Sequence, residues 1–93
     1  MYLIRESKTF KKALRKIKKS GIKSSVLDDL KLVINTIAKG DKLPEIFEDH
    51  ILSGEYLGYH DCHIRGDLVL IYIIKKEQLV LVLIDLGSHS ELF

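Results

Sequence analysis

One cysteine, one proline and no hydrophobic run longer than a strand set the first limits on this chain. Cys62 has no partner for an internal disulfide, and a lone thiol builds no metal cage, so a reducing cytoplasm is the expected compartment. The opening MYLIRES is too short for a signal peptide, and the longest apolar run, LVLIYII at 68–74, is strand length, against the ~20 residues that cross a bilayer. No membrane partner is expected. Internal repeats and low-complexity tracts are absent. At 93 residues the chain forms one domain, 1–93, with one core and no room for a deep cofactor cavity, so no cofactor is expected. No pair of residues has the HxxxH or CxxC spacing of a preformed metal site, and Ser88 and Ser90 lack a nucleophile-elbow context. Metal ligation and serine chemistry are therefore not expected.

What is present is an ordinary globular composition, 46% apolar and 30% charged, with a lopsided charge distribution. Residues 1–23 carry nine Lys or Arg against the single Glu6, while residues 24–93 carry six against twelve acids. The net charge of +2 thus conceals halves of +8 and −6. A basic segment this dense suits a polyanion or an acidic protein partner, because a field of one sign speeds association with the other; a plain solvated lysine face has the same composition.

Periodicity divides the chain in two. Residues 2–5 read as a short strand. Ser7 then caps a helix whose apolar positions Phe10, Ala13, Leu14 and Ile17 share one stripe, with Lys8, Lys11, Lys12, Arg15, Lys16, Lys18 and Lys19 around it and Gly21 beyond its end. A second helix begins at Ser24 or Ser25, buries Leu27, Leu30, Ile34 and Ile37, and stops at Gly40. From Gly40 to Gly58 the pattern fails, which predicts a long surface connection, and such loops are often functional. Strands follow at 58–64, 68–75 and 78–86, joined by Arg65-Gly66-Asp67 and Lys75-Lys76-Glu77 as a meander. The order β-α-α-β-β-β predicts an α+β domain, two helices packed on one face of an antiparallel sheet.

All four histidines, His50, His60, His63 and His89, lie in the second half. Histidine titrates near neutrality, so a group of them can both accept and donate protons. Strand alternation puts Tyr59, Asp61, His63 and Arg65 on one face and His60, Cys62 and Ile64 on the other, toward the helices. His60 is then a structural histidine. His50 lies in the loop after Glu48 and Asp49, and His89 follows the last strand in GSHSELF. Phosphodiester chemistry fits this inventory: cleavage of RNA through its own 2′-hydroxyl needs a base, an acid and a positive charge near the phosphate, and no metal. Histidines, Asp67 and Arg65 can supply all three.

The string DHILSGEYLGYHDCHIRGDLVLIYI, with the terminal GSHSELF, resembles the YafQ branch of the RelE/ParE superfamily of bacterial toxins, over essentially the whole chain. The resemblance implies a RelE-like fold, a type II toxin–antitoxin system and a ribosome-dependent endoribonuclease that cuts mRNA in the ribosomal A site and is neutralised by a cognate antitoxin. It makes His50, His63, Asp67 and His89 the acid/base set and Phe93 a substrate-stacking residue, with Tyr59 and Asp61 structural. Arg65 is expected on a phosphate, and Lys11, Lys12, Lys18 and Lys19 on ribosomal RNA or an acidic antitoxin segment. Leu68 departs from the pattern, which commonly has a tryptophan there. The rival from another class is a non-catalytic toxin of the ParE kind that inhibits DNA gyrase and does not need the histidines.

Overall fold

The computed structural model describes the whole chain, Met1–Phe93. Strand β1 (Leu3–Glu6) leads into helix α1 (Lys8–Lys19) and helix α2 (Ser24–Ala38). Then come a two-residue strand β2 (His50–Ile51), strands β3 (His60–Arg65), β4 (Leu68–Lys75) and β5 (Val80–Ser88), and a terminal helical turn α3 (His89–Leu92). The α+β order holds, with one correction. The sheet has five strands in the order β1-β5-β4-β3-β2, and β1 runs parallel to β5, so the sheet is mixed and not antiparallel throughout. Two helices between β1 and the meander bring the chain back to the same end of the sheet, which leaves a parallel pairing available at the β5 edge.

The start of α1 and the ends of both helices follow local chemistry, whereas α2 starts after Lys23 with no side-chain cap. The Ser7 hydroxyl accepts from the Phe10 N–H at 3.0 Å and itself donates to the Ile84 carbonyl at 2.6 Å, so one side chain caps α1 and fastens it to β5. Gly21 and Gly40 follow the two helices with φ of +81° and +82°, the left-handed region that glycine enters without a Cβ clash. Phe10 of α1 and Leu30, Val33 and Ile37 of α2 meet Cys62, Ile64, Leu70, Tyr72, Leu81, Leu83 and Leu86 of the sheet in one core.

The predicted loop between Gly40 and Gly58 has more order than its composition suggests. It contains a 3₁₀ turn at Glu45–Phe47, the strand β2 and a second 3₁₀ turn at Gly54–Tyr56, and its Leu43 and Phe47 are buried in the core. Two anchors four positions apart make a single interval and no repeating period, so the pattern was silent.

Two irregularities set which residues face which side. Between Ile71 and Tyr72 the β4–β5 register shifts so that Ile84 becomes an extra residue, and Leu81, Leu83 and Leu86 all reach the core although their parity differs. A second shift between His63 and Arg65 makes Ile64 the extra residue against β4.

Leu70 is completely buried on the helix side of the central strand. Leu70→Ala should therefore destabilise the fold by ~2–5 kcal/mol and lower Tm by roughly 10 °C or more, whereas Leu32→Ala on the exposed face of α2 should change stability by no more than ~0.5 kcal/mol. Urea unfolding of the two variants checks both values.

Candidate active site

One half of the site is built on β2 and β3. Asp49 is the anchor. Its Oδ1 accepts the Tyr72 phenol proton at 2.5 Å, and its Oδ2 lies 3.4 Å from His60 Nδ1. The His60 ring stacks on Tyr72 with centroids 4.9 Å apart, on the helix side of the sheet. Burial, then the bond to Asp49, pushes the Tyr72 phenol far above its ordinary range, so it remains a hydrogen-bond donor. Pinning Asp49 places the next residue, His50, opposite Asp61, and Ile51 opposite His60. Glu48, at the reversal just before this, adopts a left-handed φ of 46°.

On the other face of the sheet His50 and His63 come together, ring centroids 6.3 Å apart and edge to face. Asp61 lies beneath them at 5% exposure. Its Oδ1 is 3.5 Å from His50 Nδ1 but makes no hydrogen bond, which leaves a buried acceptor without a donor. Such an atom is costly unless something satisfies it. Donor atoms of His50, Asp61 and His63 all lie within 4.8 Å of one another, a set able to hold a metal ion. Sequence spacing missed it because the ligands come from two paired strands, not one helix or loop. Cys62 takes no part: it is fully buried, and desolvation, then the charges of Asp49 and Asp61, push its thiol far up.

The second half stands at the other side of β4. His63 pairs with Val69, which pairs with Gly87 of β5, so the three lie in one row across the sheet. Two strand spacings put His63 and Gly87 roughly 10 Å apart. The chain turns back immediately after Ser88. Gly87 permits this, since a Cβ there would come within 3.3 Å of Glu91 Oε1 and 3.5 Å of Leu92. Ser88 and Glu91 close a reciprocal capping box, the Ser88 hydroxyl accepting from the Glu91 N–H at 3.2 Å and Glu91 Oε1 accepting from the Ser88 N–H at 2.9 Å. The turn thereby presents His89, whose backbone N–H donates to Asp67 Oδ1 at 3.4 Å and whose ring lies tilted against Phe93 with centroids 4.9 Å apart.

The predicted residues thus fall into two groups, His50 with His63 and Asp67 with His89 and Phe93, bridged by β4. Arg65 is placed differently from the strand-alternation reading. The register shift at Ile64 turns its side chain to the helix side, where Nε donates to Asp29 Oδ2 of α2 at 2.8 Å. A phosphate would have to use the guanidinium donors that Asp29 leaves free. Lys11, Lys12, Lys18 and Lys19 are all exposed on α1. Asp61, expected to be structural, lies buried as the carboxylate beneath the histidine pair.

Residues 2–93 match the family of bacterial toxins of type II toxin–antitoxin systems called YafQ. The chain belongs to that family. A Haemophilus influenzae protein carrying the YafQ toxin name is 53% identical over 51 residues, 53% of this chain and 50% of the relative. The mRNA interferase toxin YafQ of Escherichia coli K12 is 37% identical over 62 residues, 67% of this chain and 61% of the relative. The aligned stretch thus spans 50% to 61% of the length of these two YafQ relatives. A crystal structure of a metal-bound toxin from Helicobacter pylori superposes with a TM-score of 0.90 at 40% identity, covering 100% of both chains. E. coli YafQ in its toxin–antitoxin complex with DinJ gives 0.84 at 27%, covering 99% of this chain and 97% of that one. The RelE-like arrangement expected from the YafQ motifs is therefore the observed one.

The terminal turn depends on an ionised Glu91. The hydrogen bond from the Ser88 backbone, followed by the Ser88 hydroxyl and Lys16 at 3.9 Å, holds its carboxyl below the ordinary glutamate range. A depressed folded value means that this stabilisation is complete above the ordinary glutamate pKa and disappears as pH falls through the lower, folded value. Acidification through that window should lower the amide protection factors at Ser88, Glu91 and Phe93, taken against the intrinsic exchange rate at each pH, ahead of those in the sheet, and Glu91→Gln should remove the pH dependence of those factors.

Proposed function

We propose that this YafQ-family protein is a ribosome-dependent endoribonuclease that cleaves mRNA by acid/base catalysis and is held in check by a cognate antitoxin. Proton transfer at two positions is the requirement. One group removes the proton of a substrate 2′-hydroxyl, the 2′-oxygen attacks the phosphorus, the bond to the 5′-oxygen breaks, and a second group protonates that oxygen. The products are a 2′,3′-cyclic phosphate and a 5′-hydroxyl, and no metal enters the balance. The observation that carries the reading is the row across β3, β4 and β5, which puts His63 and the His89–Asp67 pair on either side of one strand. The His63 and Gly87 backbones stand roughly 10 Å apart across that row, and a phosphodiester held over β4 would have His63 on one side and His89, two residues past Gly87, on the other. His50 and Asp61 reinforce the first position, and Phe93 steadies a base at the second.

The exposed lysines of α1 contribute binding. A helix carrying Lys11, Lys12, Lys18 and Lys19 suits ribosomal RNA, and the same face suits an acidic segment of an antitoxin, the class of partner with which E. coli YafQ forms its DinJ complex. Occupancy by one partner then excludes the other.

With purified chain on translating ribosomes, primer extension should show codon-phased cuts. His89→Gln, which keeps a hydrogen-bonding group and removes the titrating one, should slow cleavage by ~10² to 10⁴ while Tm stays near the parent's. Growth arrest with intact messages and inhibited gyrase would overturn the nuclease reading.

A second reading concerns metal, and the orphaned Asp61 Oδ1 favours it. His50, Asp61 and His63 offer two imidazoles and a carboxylate, donors suited to copper or zinc, and the related Helicobacter pylori toxin is described as metal-bound. A metal there would occupy the histidine nitrogens that proton transfer needs, so it would inhibit. With ribosomal Mg²⁺ held constant, added Cu²⁺ should suppress cleavage reversibly, and Asp61→Asn should weaken that inhibition. Inhibition unchanged in Asp61→Asn would place the metal elsewhere.

A further inference from the structure

The chain has seven aromatic residues, three Phe, four Tyr and no Trp. Phe10, Phe47 and Tyr72 are core residues, and Tyr2 packs against that core. The other three meet outside it. Tyr56 lies 6.4 Å from Tyr59 and 5.9 Å from Phe93, centroid to centroid, and Phe93 continues the line to His89 at 4.9 Å. Residues remote in sequence, from the middle loop and the chain end, therefore build one aromatic ledge that ends on a histidine.

Core packing does not explain the ledge. Phe93 is 48% exposed, and Leu57 beside Tyr56 is 75% exposed. Tyr56 closes a 3₁₀ turn flanked by Gly54 and Gly58, whose φ of +70° and +91° turn the chain sharply on both sides. That local geometry brings the Tyr56 ring to Phe93 at an interplanar angle of 77°. Two rings so disposed form a corner: a flat ligand can lie against one face while its rim meets the other ring. Leu68, at the start of β4, packs against the core and offers no ring. Aromatic faces take any nucleobase, because every base has a π-face, while a tyrosine adds an O–H that can discriminate among base edges.

We propose that Tyr56 is a base-stacking residue of the substrate site, forming with Phe93 the corner that holds one nucleobase of the RNA beside His89. The inference rests on the mRNA-cleaving reading above and extends it to a residue outside the acid/base set. It follows that Tyr56 affects where and how tightly the message is held, more than the rate of bond breaking once it is held.

The test uses the whole chain on ribosomes programmed with a message that carries 2-aminopurine at successive positions of one codon. A 2′-deoxynucleotide at the cut position prevents cleavage, and stacking on a ring quenches the fluorescence. The parent should quench at one position. Tyr56→Leu should lose that quench and raise the toxin concentration for half-maximal cleavage of the ordinary message by about 5- to 150-fold, the span expected for one stacked base, with the saturated rate changed far less. Tyr56→Phe should keep the quench and the concentration dependence, and both variants should melt with the parent. Parent-like quenching and half-maximal concentration in Tyr56→Leu would overturn the proposal, as would a fall in Tm that accounts for the loss. A parent that quenches but leaves the ordinary message intact would sink the nuclease reading and leave the stacking role supported. A parent that neither quenches nor cuts would remove both.

Discussion

Burial of β4 on both faces is the constraint on which the remaining structure depends. Val69, Leu70, Ile71 and Tyr72 are all at 3% exposure or less, in a strand hydrogen-bonded to β3 on one side and β5 on the other. Leu70 and Tyr72 point into the helix-covered core, while Val69 and Ile71 are buried outside that cluster, on the face that carries His63 and Asp61. A strand buried on both sides tolerates no register slip, since a shift by one residue would exchange its faces. Because β4 is fixed, the strands beside it are fixed, and they carry the histidines. The short turn after Arg65 links His63 to Asp67, but the separation between the His50–His63 pair and the His89 turn is set by this one strand.

The two register shifts adapt a regular ladder to an irregular task. In β5 the extra residue at Ile84 keeps Leu81, Leu83 and Leu86 in the core and leaves the Ile84 carbonyl to receive the Ser7 hydroxyl that starts α1. In β3 the extra residue at Ile64 sends Arg65 to Asp29 and so ties the hairpin end to α2. Irregularities of this kind redirect individual side chains next to functional sites. Here they also join the helices to the ends of the strands that bear His63 and His89.

The basic residues of α1 remain exposed, whereas three of the carboxylates near the histidines are engaged in hydrogen bonds, Asp49 with Tyr72, Asp67 with the His89 backbone and Glu91 with Ser88; Glu48 stays exposed 4.0 Å from His63 Nδ1. Acids that hold local geometry do not compete as free anions for an approaching polyanion. Asp61 is the buried case, a carboxylate oxygen without a donor directly below two histidines, and a reoriented imidazole or a cation would satisfy it.

Elements governed by nearest neighbours were legible in the sequence. Ser7 and the stripe from Phe10 to Ile17 defined α1, Gly40 ended α2, and β4 begins and ends at the residues its apolar run and turns indicate, because capping, helical period and turn chemistry act over a few residues. The motifs GYHDCHI and GSHSELF pointed to the family and to four acid/base candidates, although the order of strands in the sheet was not written in them. Only the tertiary structure decided that β1 joins β5 in parallel, that Leu43 and Phe47 anchor the middle loop, that Arg65 turns away to Asp29, that Asp61 lies beneath His50 and His63, and that Tyr56 meets Phe93. Each of those outcomes depends on a partner eleven or more positions away, and pairing across strands leaves no periodic trace in either strand alone. The chemistry-bearing residue types were therefore a property of the sequence, and their distances from one another a property of the sheet.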